Sequence, residues 1–397
     1  MLRANILIST LGGGGAEHVV SELVMNPPDN MSLSLHLFTS KNSRYPSGNA
    51  NIIDFESMSH INICSKILHI LSPRYLFRLY VYYHSLQKKK PDVSISFLNM
   101  ENCMNILVSR LLHIPIVVSI RNNPSLDYNS WILLKLQQIL IQLYSPYLIV
   151  NSEDNRKWIV EKYQLNCSKT ICIYNPKNIK NIHSLSHEEI LDDFFHTEDI
   201  MLLTVGRLTR QKGQIHLLRI FSHLRKTIPC RLVICGVGEL EKPLKKLMSE
   251  LGISGSVLFT GWCDNPYKYM KRADIFVFPS IYEGQPNALI EALICGCPIV
   301  SADCDYGPRE ILADGKYGIL TKKLDGKIDN PLTTPLTDAE QDMYDKVLYL
   351  MQHPEERERL SQLSSEQIHL FDKERCIKKY YDVFRAAAEG KPLTDIE

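Results

Sequence analysis

The stretch "IFVFPSIYEGQPNALIEALICGCPIVSAD" (275–303) contains one complete building block of the fold. It starts with an apolar run, "IFVFPS" (275–280), passes through a polar loop into a helical segment, and returns in a second apolar run, "PIVSAD" (298–303). Runs that are apolar throughout, rather than alternating, are typical of strands buried on both faces. A strand, a helix and a second strand in succession predict parallel pairing of the two strands.

The same alternation extends along the chain. In the first half the apolar, β-branched runs are "NILIST" (5–10), "LHLFT" (35–39), "VSISFL" (93–98), "PIVVSI" (115–120), "YLIVN" (147–151) and "TICIYN" (170–175). In the second half they are "IMLLTVG" (200–206), "RLVICG" (231–236), "VLFTG" (257–261), "IFVFPS" (275–280), "PIVSAD" (298–303) and "GILTK" (318–322). Two sets of six predict an α/β protein with two Rossmann-like domains rather than one large sheet.

The domain boundary is visible as a change in polarity. The segment "NPKNIKNIHSLSHEEILDDFFHTED" (175–199) is polar and contains no apolar strand. We therefore predict an N-terminal domain over 1–177 and a C-terminal domain over 178–372. The end of the chain is charged and helical, and we predict that a final helix within 373–397 crosses back to the N-terminal domain.

The composition is that of an ordinary globular protein of 397 residues with a net charge of +1, so the overall charge gives no case for nucleic-acid binding. Residues 1–177, however, carry 17 Lys and Arg against 11 Asp and Glu. This excess suits an anionic partner or an anionic membrane surface, although chance also explains it. Eleven cysteines without a CxxC pair predict reduced core thiols in a cytosolic protein. No apolar stretch approaches the roughly 20 residues of a membrane-spanning helix.

Ligands of parallel sheets bind beyond the carboxyl ends of the strands, so the residues that follow each strand are the candidates for function. In "VGRLTRQKG" (205–213), Arg207 and Lys212 follow a strand directly, with Gly206 and Gly213 beside them. Two cations next to glycines that allow close backbone approach are suited to clamping a diphosphate. A solvated basic turn is the alternative.

A second strand is followed by the tight turn of "CGVGELEKPL" (235–244), in which Gly238 and Glu239 precede a helix. Backbone amides at such a turn can contact a phosphate. A Gly-x-Gly turn is also common as a simple sharp connection, and the sequence leaves both readings open.

The loop and helix "EGQPNALIE" (283–291) place two carboxylates near one point. Glu283 lies on the loop, while Glu291 lies in the helix with its side chain leaning back towards the helix N-terminus. We expect Gln285 or Asn287 to cap this helix. Carboxylates accept hydrogen bonds from sugar hydroxyls, and a helix N-terminus attracts anions. The pattern therefore suits a ligand with hydroxyls at both ends and phosphates between them, which is a sugar nucleotide.

Three of these motifs together resemble a known family. "GGGGAEHVV" (12–20), "VGRLTRQKG" (205–213) and "EGQPNALIEAL" (283–293) resemble, in order and spacing, the GT-B retaining glycosyltransferases of family 4. The likeness covers nearly the whole chain and is strongest to bacterial enzymes that extend lipid-linked oligosaccharides. Among these, "SISFLNMENCMNILVSR" (94–110) and "SIRNNP" (119–124) resemble the branch with N-acetylgalactosaminyltransferases.

The resemblance implies a GT-B fold in which two parallel sheets face a central cleft, and it implies roles for single residues. Arg207 and Lys212 would bind the diphosphate and stabilise the charge of the leaving group. Glu283 would contact the donor sugar, and the three would form the catalytic set. Glu291 would bind the ribose hydroxyls. The other donor-binding residues implied are Gly13, Gly14, Arg121, Asn122, Gly206, Gly238, Glu239, Gln285, Pro286, Asn287, Ala288 and Leu289.

Two departures from the family pattern bear on these roles. Many members have a histidine after the fourth N-terminal strand, close to the donor sugar, whereas this chain has Arg121 and Asn122 in "VVSIRNNPS" (117–125). Many also have an aromatic residue after the first Glu-Gly, where this chain has Gln285.

The implied activity is retaining transfer of a sugar from a nucleoside diphosphate, expected to be a UDP-hexose or UDP-N-acetylhexosamine. The acceptor would be a polyprenyl-diphosphate-linked glycan of bacterial surface polysaccharide or glycan assembly. No cofactor and no metal are expected, and the enzyme would work in the cytoplasm, peripherally on the inner face of the cytoplasmic membrane. The alternatives are a catalytically silent GT-B carbohydrate-binding or scaffold protein and a GT-B epimerase or phosphorylase.

Two motifs point to other chemistry and are given less weight. "DCD" (303–305) matches a short metal-binding pattern, but hard cations need several converging oxygen ligands rather than one short pair. "GGGGAE" (12–17) suggests a dinucleotide fingerprint, but its glycine spacing is irregular and no acidic residue at a following strand end accompanies it.

The segment 65–92 mixes aromatic, leucine and basic residues. A helix there would place an apolar stripe that includes Tyr75, Leu79 and Tyr82 beside basic side chains, and Lys88–Lys90 follow at its end. This pattern suits an interfacial helix that meets anionic lipid. A helix packed in the core with a basic last turn fits the pattern equally well.

Overall fold

The structure, a computed structural model, describes residues 1–41, 43–48, 50–58, 74–121, 131–195, 197–326 and 330–396. It divides into two compact units. Unit 1 consists of Met1–Pro176 with Glu374–Glu397, and unit 2 consists of Lys177–Lys373. Each unit contains one sheet whose strands run parallel, which confirms the predicted α/β class.

Unit 1 contains a sheet of seven strands in the order β3-β2-β1-β4-β5-β6-β7. The strands are β1 (Leu2–Ile8), β2 (Met31–Leu37), β3 (Asn51–Asp54), β4 (Val93–Phe97), β5 (Ile116–Ile120), β6 (Tyr147–Val150) and β7 (Thr170–Cys172). Six of them overlap the predicted runs. The sequence analysis missed β3, because this edge strand has four residues and none of them is buried.

The helices of unit 1 connect these strands. They are α1 (Gly15–Met25), α2 (Phe55–Met58), α3 (Arg74–Lys89), α4 (Asn99–Leu111), α5 (Trp131–Tyr144) and α6 (Glu153–Tyr163). Side chains of α1 pack with β1 and β2 in one part of the core, whereas those of α3 and α4 pack together in another. The inner faces of α4, α5 and α6 pack with β5 and β6 in a third.

Unit 2 contains a sheet of six strands in the order β10-β9-β8-β11-β12-β13. The strands are β8 (Ile200–Val205), β9 (Cys230–Cys235), β10 (Val257–Gly261), β11 (Ile275–Phe278), β12 (Ile299–Ala302) and β13 (Ile319–Thr321). All six coincide with the predicted runs. Their side chains are mostly buried, as expected for apolar strands covered on both faces.

The helices of unit 2 cover both faces of its sheet. They are α7 (Ile179–Ser186), α8 (Gln214–Thr227), α9 (Glu241–Glu250), α10 (Tyr267–Arg272), α11 (Asn287–Ile294), α12 (Pro308–Ile311), α13 (Asp338–Gln352) and α14 (Pro354–Leu363). The helix α13 begins with a capping box in which Thr337 and Glu340 satisfy each other's backbone amides.

The last helix, α15 (Lys373–Glu389), packs in the core of unit 1 although it follows unit 2 in the sequence. Its buried face includes Tyr380, Tyr381 and Phe384. The hydroxyl of Tyr381 donates a hydrogen bond to the carbonyl oxygen of Leu23, in the last turn of α1. Burial of these aromatic rings ties the C-terminal segment to unit 1.

The helix α3 is packed in the core along much of its length. Phe77, Val81, Tyr82 and Leu86 are buried, and the Tyr82 hydroxyl is bonded to side chains of β1, β4 and α4. Of the two interpretations of this helix, Tyr82 therefore fits the one packed in the core; helical periodicity identifies a face but not what covers it. Residues 65–73 of the predicted segment lie outside the described residues.

Ten of the eleven cysteines lie in the described residues; all ten are free thiols, and eight are buried. This agrees with the predicted reduced core thiols. Every helix of the described ranges is too short or too polar to cross a bilayer.

Candidate functional site

The loop that follows β8 presents the first predicted cation. Gly206 and Leu208 are fixed by backbone hydrogen bonds to the carbonyl oxygens of Cys235 and Val237, after the neighbouring strand β9. The Arg207 side chain between them is exposed, and in the described part of the chain its guanidinium has no hydrogen-bond or ion-pair partner. The backbone of this loop is therefore fixed, while the charged side chain of Arg207 is exposed at the carboxyl end of the sheet.

The glycines of the adjacent turn are required by close backbone contact. A Cβ atom on Gly236, which has a φ of +144°, would lie 2.0 Å from the carbonyl oxygen of Gly206. A Cβ atom on Gly238 would lie 2.3 Å from the carbonyl oxygen of Leu208. The turn thus packs directly on the Arg207 loop, and Glu239 beside it is exposed. This explains the Gly-x-Gly spacing by packing, and it leaves the predicted phosphate contact of Gly238 and Glu239 a prediction.

The second predicted cation meets the first predicted carboxylate. Lys212 closes a 3₁₀ turn at Arg210–Lys212, and its Nζ lies 2.5 Å from Oε1 of Glu283. Both side chains are largely buried, and the same Nζ lies 5.6 Å from the centroid of the Phe278 ring. A second link holds the two loops together, because the Ile281 amide donates to the carbonyl oxygen of Gln211. The structure thus brings two separately predicted motifs into one charged pair.

The helix α11 begins where the sequence analysis placed it, but its cap differs. The N-cap is Pro286 rather than the predicted Gln285 or Asn287, because the backbone of Pro286 is still extended and the helix begins at Asn287. Asn287, Ala288 and Leu289 form the first helical positions, whose amides have no carbonyl partner within the helix. Such amides can donate to an anion at the helix start.

Glu291, one turn into α11, forms a contact that the sequence analysis missed. Its Oε1 lies 2.5 Å from Nζ of Lys177, and both side chains are mostly buried. Lys177 is fixed by backbone bonds in which its amide donates to Phe371 and its carbonyl accepts from Lys373. Because Lys177 lies in the polar segment that marks the domain boundary, no local pattern singled it out. Glu283 and Glu291 thus each face a lysine.

The described residues among those predicted in unit 1 follow the carboxyl ends of its strands. Gly13 has a φ of +126°, and Gly14 is the N-cap of α1 in an exposed loop. Arg121 follows β5 and is buried; its guanidinium donates to the Tyr380 hydroxyl at 2.6 Å and to the Asn175 side chain. Asn122 lies outside the described residues. The donor contacts predicted for these residues stay predictions.

A further carboxyl group in unit 1 was not singled out. Glu101, near the start of α4, is 3% exposed, and burial raises its pKa to about 7 against the opposing effect of a hydrogen bond from Ser9. The preceding Leu98 has a φ of +76°, which is rare for a residue with a side chain. Glu101 lies within the stretch 94–110, but nothing in its spacing indicated a buried carboxyl.

The two aspartates of "DCD" are engaged in ion pairs. Asp303 pairs with Arg309, and Asp305 pairs with Lys323. Between them, Cys304 is buried. In the described ranges no group of three or more His, Cys, Asp or Glu side chains is arranged to hold a metal ion.

Comparison with known proteins relates this site to a family. Residues 187–330, which contain most of the unit 2 site, match the family described as "Glycosyl transferases group 1". The chain is 30% identical over 356 residues to an uncharacterized glycosyltransferase of Methanocaldococcus jannaschii, covering 83% of this chain and 87% of that protein.

A relative with a named activity has similar coverage. It is the N-acetylgalactosamine-N,N'-diacetylbacillosaminyl-diphospho-undecaprenol 4-alpha-N-acetylgalactosaminyltransferase of Campylobacter jejuni. The identity is 30% over 349 residues, covering 81% of this chain and 86% of the relative.

Solved structures share the fold at low sequence identity. Anabaena HepE in complex with UDP has a TM-score of 0.73 at 16% identity, covering 97% of this chain and 100% of that one. The sucrose-phosphate synthase of Thermosynechococcus elongatus has a TM-score of 0.75 at 14% identity, covering 98% and 100%.

Proposed function

The chain belongs to the group 1 glycosyl transferases, and we propose that it moves a sugar from a UDP-sugar to a polyprenyl-diphosphate-linked glycan with retention of configuration. It is a glycosyltransferase of the GT-B fold, as the resemblance implied. The donor, the acceptor and the stereochemistry are the parts proposed. The named Campylobacter relative supports the lipid-linked acceptor, and the fold shared with a UDP complex supports the donor class.

One observation carries the proposal: the 2.5 Å contact between Lys212 and Glu283, which unites the basic loop with the acidic loop. The bond that breaks joins the sugar to the diphosphate. A cation that stabilises the leaving diphosphate must therefore lie beside the group that contacts the transferred sugar. The second pair, Lys177 and Glu291, provides a carboxylate one turn along α11 for the ribose hydroxyls. Arg207 adds an exposed guanidinium suited to bidentate phosphate contacts.

In the proposed mechanism the bond between the anomeric carbon and the β-phosphate oxygen breaks, and UDP leaves with the electron pair. The acceptor hydroxyl attacks the same face, and its proton passes to the departing phosphate. Arg207 and Lys212 stabilise the negative charge that develops on the diphosphate. Fixed charges aimed at developing charge are a major source of catalysis. The proposal requires no metal ion.

The proposal includes a membrane setting, because a polyprenyl-linked acceptor resides in a bilayer. We propose peripheral attachment to the cytoplasmic face, with anionic lipid as a partner of unit 1. The excess of cations in residues 1–177 supports this setting.

The test is release of UDP from a panel of UDP-sugars in the presence and absence of a detergent-solubilised polyprenyl-diphosphate-linked glycan. We expect acceptor-dependent UDP release with one donor, and an α-linked product if the donor is α-linked. A thermal-shift screen with the same donors should raise the melting temperature for that sugar nucleotide. Binding without turnover for every acceptor would favour the silent scaffold. Free epimerised sugar nucleotide would favour the epimerase.

A further inference from the structure

The exposed side of α5 differs from that of most surface helices in globular proteins, because it is mainly apolar. Trp131, Ile132, Leu136, Ile139 and Leu143 are between 43% and 70% exposed. Ile132, Leu136, Ile139 and Leu143 recur at intervals of three or four residues, so they lie along one side of the helix, and Trp131 lies at its N-terminal end. Large apolar side chains in a contiguous exposed stripe mark a surface that meets another apolar phase.

The buried side of the same helix also differs from the usual pattern, because it contains a polar residue. Leu140 and Ile141 pack in the core of unit 1, yet the polar Gln137 is also on the inner side, at 2% exposure. An amphipathic surface helix normally places its polar residues outside. Here the outer side is at least as apolar as the inner one, so core packing does not account for its composition.

The neighbouring helix α4 extends the apolar surface. Leu107 and Leu111 are 37% and 71% exposed. The guanidinium of Arg110 lies 5.7 Å from the centroid of the Tyr144 ring, so the C-terminal ends of α4 and α5 lie side by side. We call the seven exposed side chains of α4 and α5 the apolar face.

The exposed charged side chains of α4 and α5 themselves have one sign. Arg110 and Lys135 are exposed on these helices. Within the two helices the one acidic residue is Glu101, and it is buried. A surface with apolar side chains, a tryptophan and flanking cations is complementary to the headgroup region of an anionic bilayer.

We propose that the apolar face of α4 and α5 docks unit 1 on the surface of an anionic lipid bilayer. A second copy of the chain fits less well. In a symmetric dimer through this face, the cations of one copy would face the same cations of the other. The helix α5 is about 21 Å long at 1.5 Å per residue, so it can lie in the plane of the interface along its whole length. The inference rests on the proposed lipid-linked acceptor for its biological sense, but its physical test needs no substrate.

The test is co-flotation of the full chain with vesicles. The two vesicle types are phosphatidylcholine alone and phosphatidylcholine with phosphatidylglycerol in equal parts. We expect the wild type to float with the anionic vesicles and to be released from them by salt. The double variant Ile139→Glu/Leu143→Glu should lose about tenfold or more in vesicle affinity, because it replaces two inserted side chains by anions. Its melting temperature should match the wild type, since both positions are exposed.

Matched variants locate the effect. Leu191→Glu/Leu332→Glu places the same two charges at exposed leucines of unit 2 and should float like the wild type. Arg110→Gln/Lys135→Gln should weaken binding to the anionic vesicles and not to phosphatidylcholine.

Several results would overturn the inference. One is unchanged flotation of the Ile139→Glu/Leu143→Glu variant. Another is loss of flotation on neutralising Lys88 and Lys90 while that variant still binds. A third is a wild-type dimer in light scattering that this variant dissociates, because the apolar face would then bind a second copy.

The same proteins separate this inference from the proposed function. Vesicle binding without any sugar transfer would leave the docking surface standing and reject the proposed activity. Transfer to a detergent-solubilised acceptor without vesicle binding would reject the docking surface and the proposed membrane setting but leave the proposed sugar transfer standing.

Discussion

Lys212 donates a hydrogen bond to Glu283 across 2.5 Å, although 71 positions separate them in the sequence. The pair lies where two strand-end loops of unit 2 meet, and little of either side chain is exposed. A cation and a carboxylate held this closely are oriented before any ligand arrives. Such preorganisation is what stabilisation of a departing phosphate requires.

Replacement of this lysine should abolish most turnover. We expect Lys212→Ala to lower kcat by about 100- to 1,000-fold, because removal of one charged group that stabilises a transition state has effects of this size. The measurement is acceptor-dependent UDP release at saturating donor. Lys245→Ala removes an exposed lysine of α9 and should leave the rate unchanged. Near-normal turnover of Lys212→Ala would reject the assignment.

The stability of the same variant needs a separate control. Lys212→Ala leaves Glu283 buried without its ion partner, which is costly. The double variant Lys212→Met/Glu283→Gln removes both charges and should recover much of the lost melting temperature. It should still be inactive, and this result would separate a catalytic defect from unfolding.

The contact of Lys177 with Glu291 should govern nucleotide affinity rather than the chemical step. We expect Glu291→Gln to weaken UDP binding about tenfold, because a hydrogen bond to a charged acceptor contributes about 1.5–3 kcal/mol. Lys177→Met should weaken UDP binding as well, since Lys177 positions that carboxylate. Isothermal titration with UDP measures both effects. Lys180→Met, an exposed neighbour on α7, is the matched control. Equal UDP affinity in all four proteins would exclude Glu291 from the ribose site.

The prediction from sequence succeeded where the burial of a side chain follows from the apolar pattern of the residues next to it in the chain. The six strands of unit 2 were identified because they are apolar throughout, and burial on both faces requires this. The edge strand β3 was missed because half-exposed positions need no such pattern. In the same way, "EGQPNALIE" predicted a loop and a helix, because proline and asparagine favour a helix start.

The parts that failed depend on contacts between distant segments. Nothing near Lys177 indicates that it meets Glu291, since the pairing is created by the path of the chain between α7 and α11. Whether Tyr82 lies on a surface stripe or in the core was left open, because the neighbours that bury it come from β1, β4 and α4. The exposed side of α5 was missed for the opposite reason, because an apolar helix gives no sign of which side is left uncovered.

The turn at Gly238 should tolerate no side chain. A Cβ atom there would lie 2.3 Å from the Leu208 carbonyl oxygen, so Gly238→Ala must displace the loop that carries Arg207. We expect a loss of about 1–3 kcal/mol in the free energy of unfolding, as for overpacking elsewhere, together with weaker UDP binding.

Gly255→Ala is the matched control for this substitution. Nothing lies within 4 Å of a Cβ atom at Gly255, and neither glycine has a positive φ, so the two variants differ in the space around the added methyl group. Thermal unfolding and UDP titration of both proteins check the prediction. Equal stability of the two variants would contradict it.

The buried cluster around Glu340 should make the stability of unit 2 sensitive to acid. The carboxylate of Glu340 accepts hydrogen bonds from Arg219 and is bonded to His216, and all three side chains are almost fully buried. Burial opposes its ionisation, but the bonds from His216, Arg219 and the Thr337 amide outweigh burial and lower the pKa of Glu340 to about 2.

Because the pKa of this carboxyl is lower in the folded protein than in the unfolded chain, ionised Glu340 stabilises the fold above the unfolded pKa near 4.5. That stabilisation is lost as the pH falls from about 4.5 towards 2. We expect Glu340→Gln to be less stable than the wild type at pH 7 and to show a smaller further loss of stability across this acid range. Urea unfolding at several pH values measures the difference. Glu250→Gln, at an exposed position on α9, should keep the acid dependence of the wild type. Parallel acid profiles for Glu340→Gln and the wild type would show that Glu340 is not the group whose protonation weakens the fold.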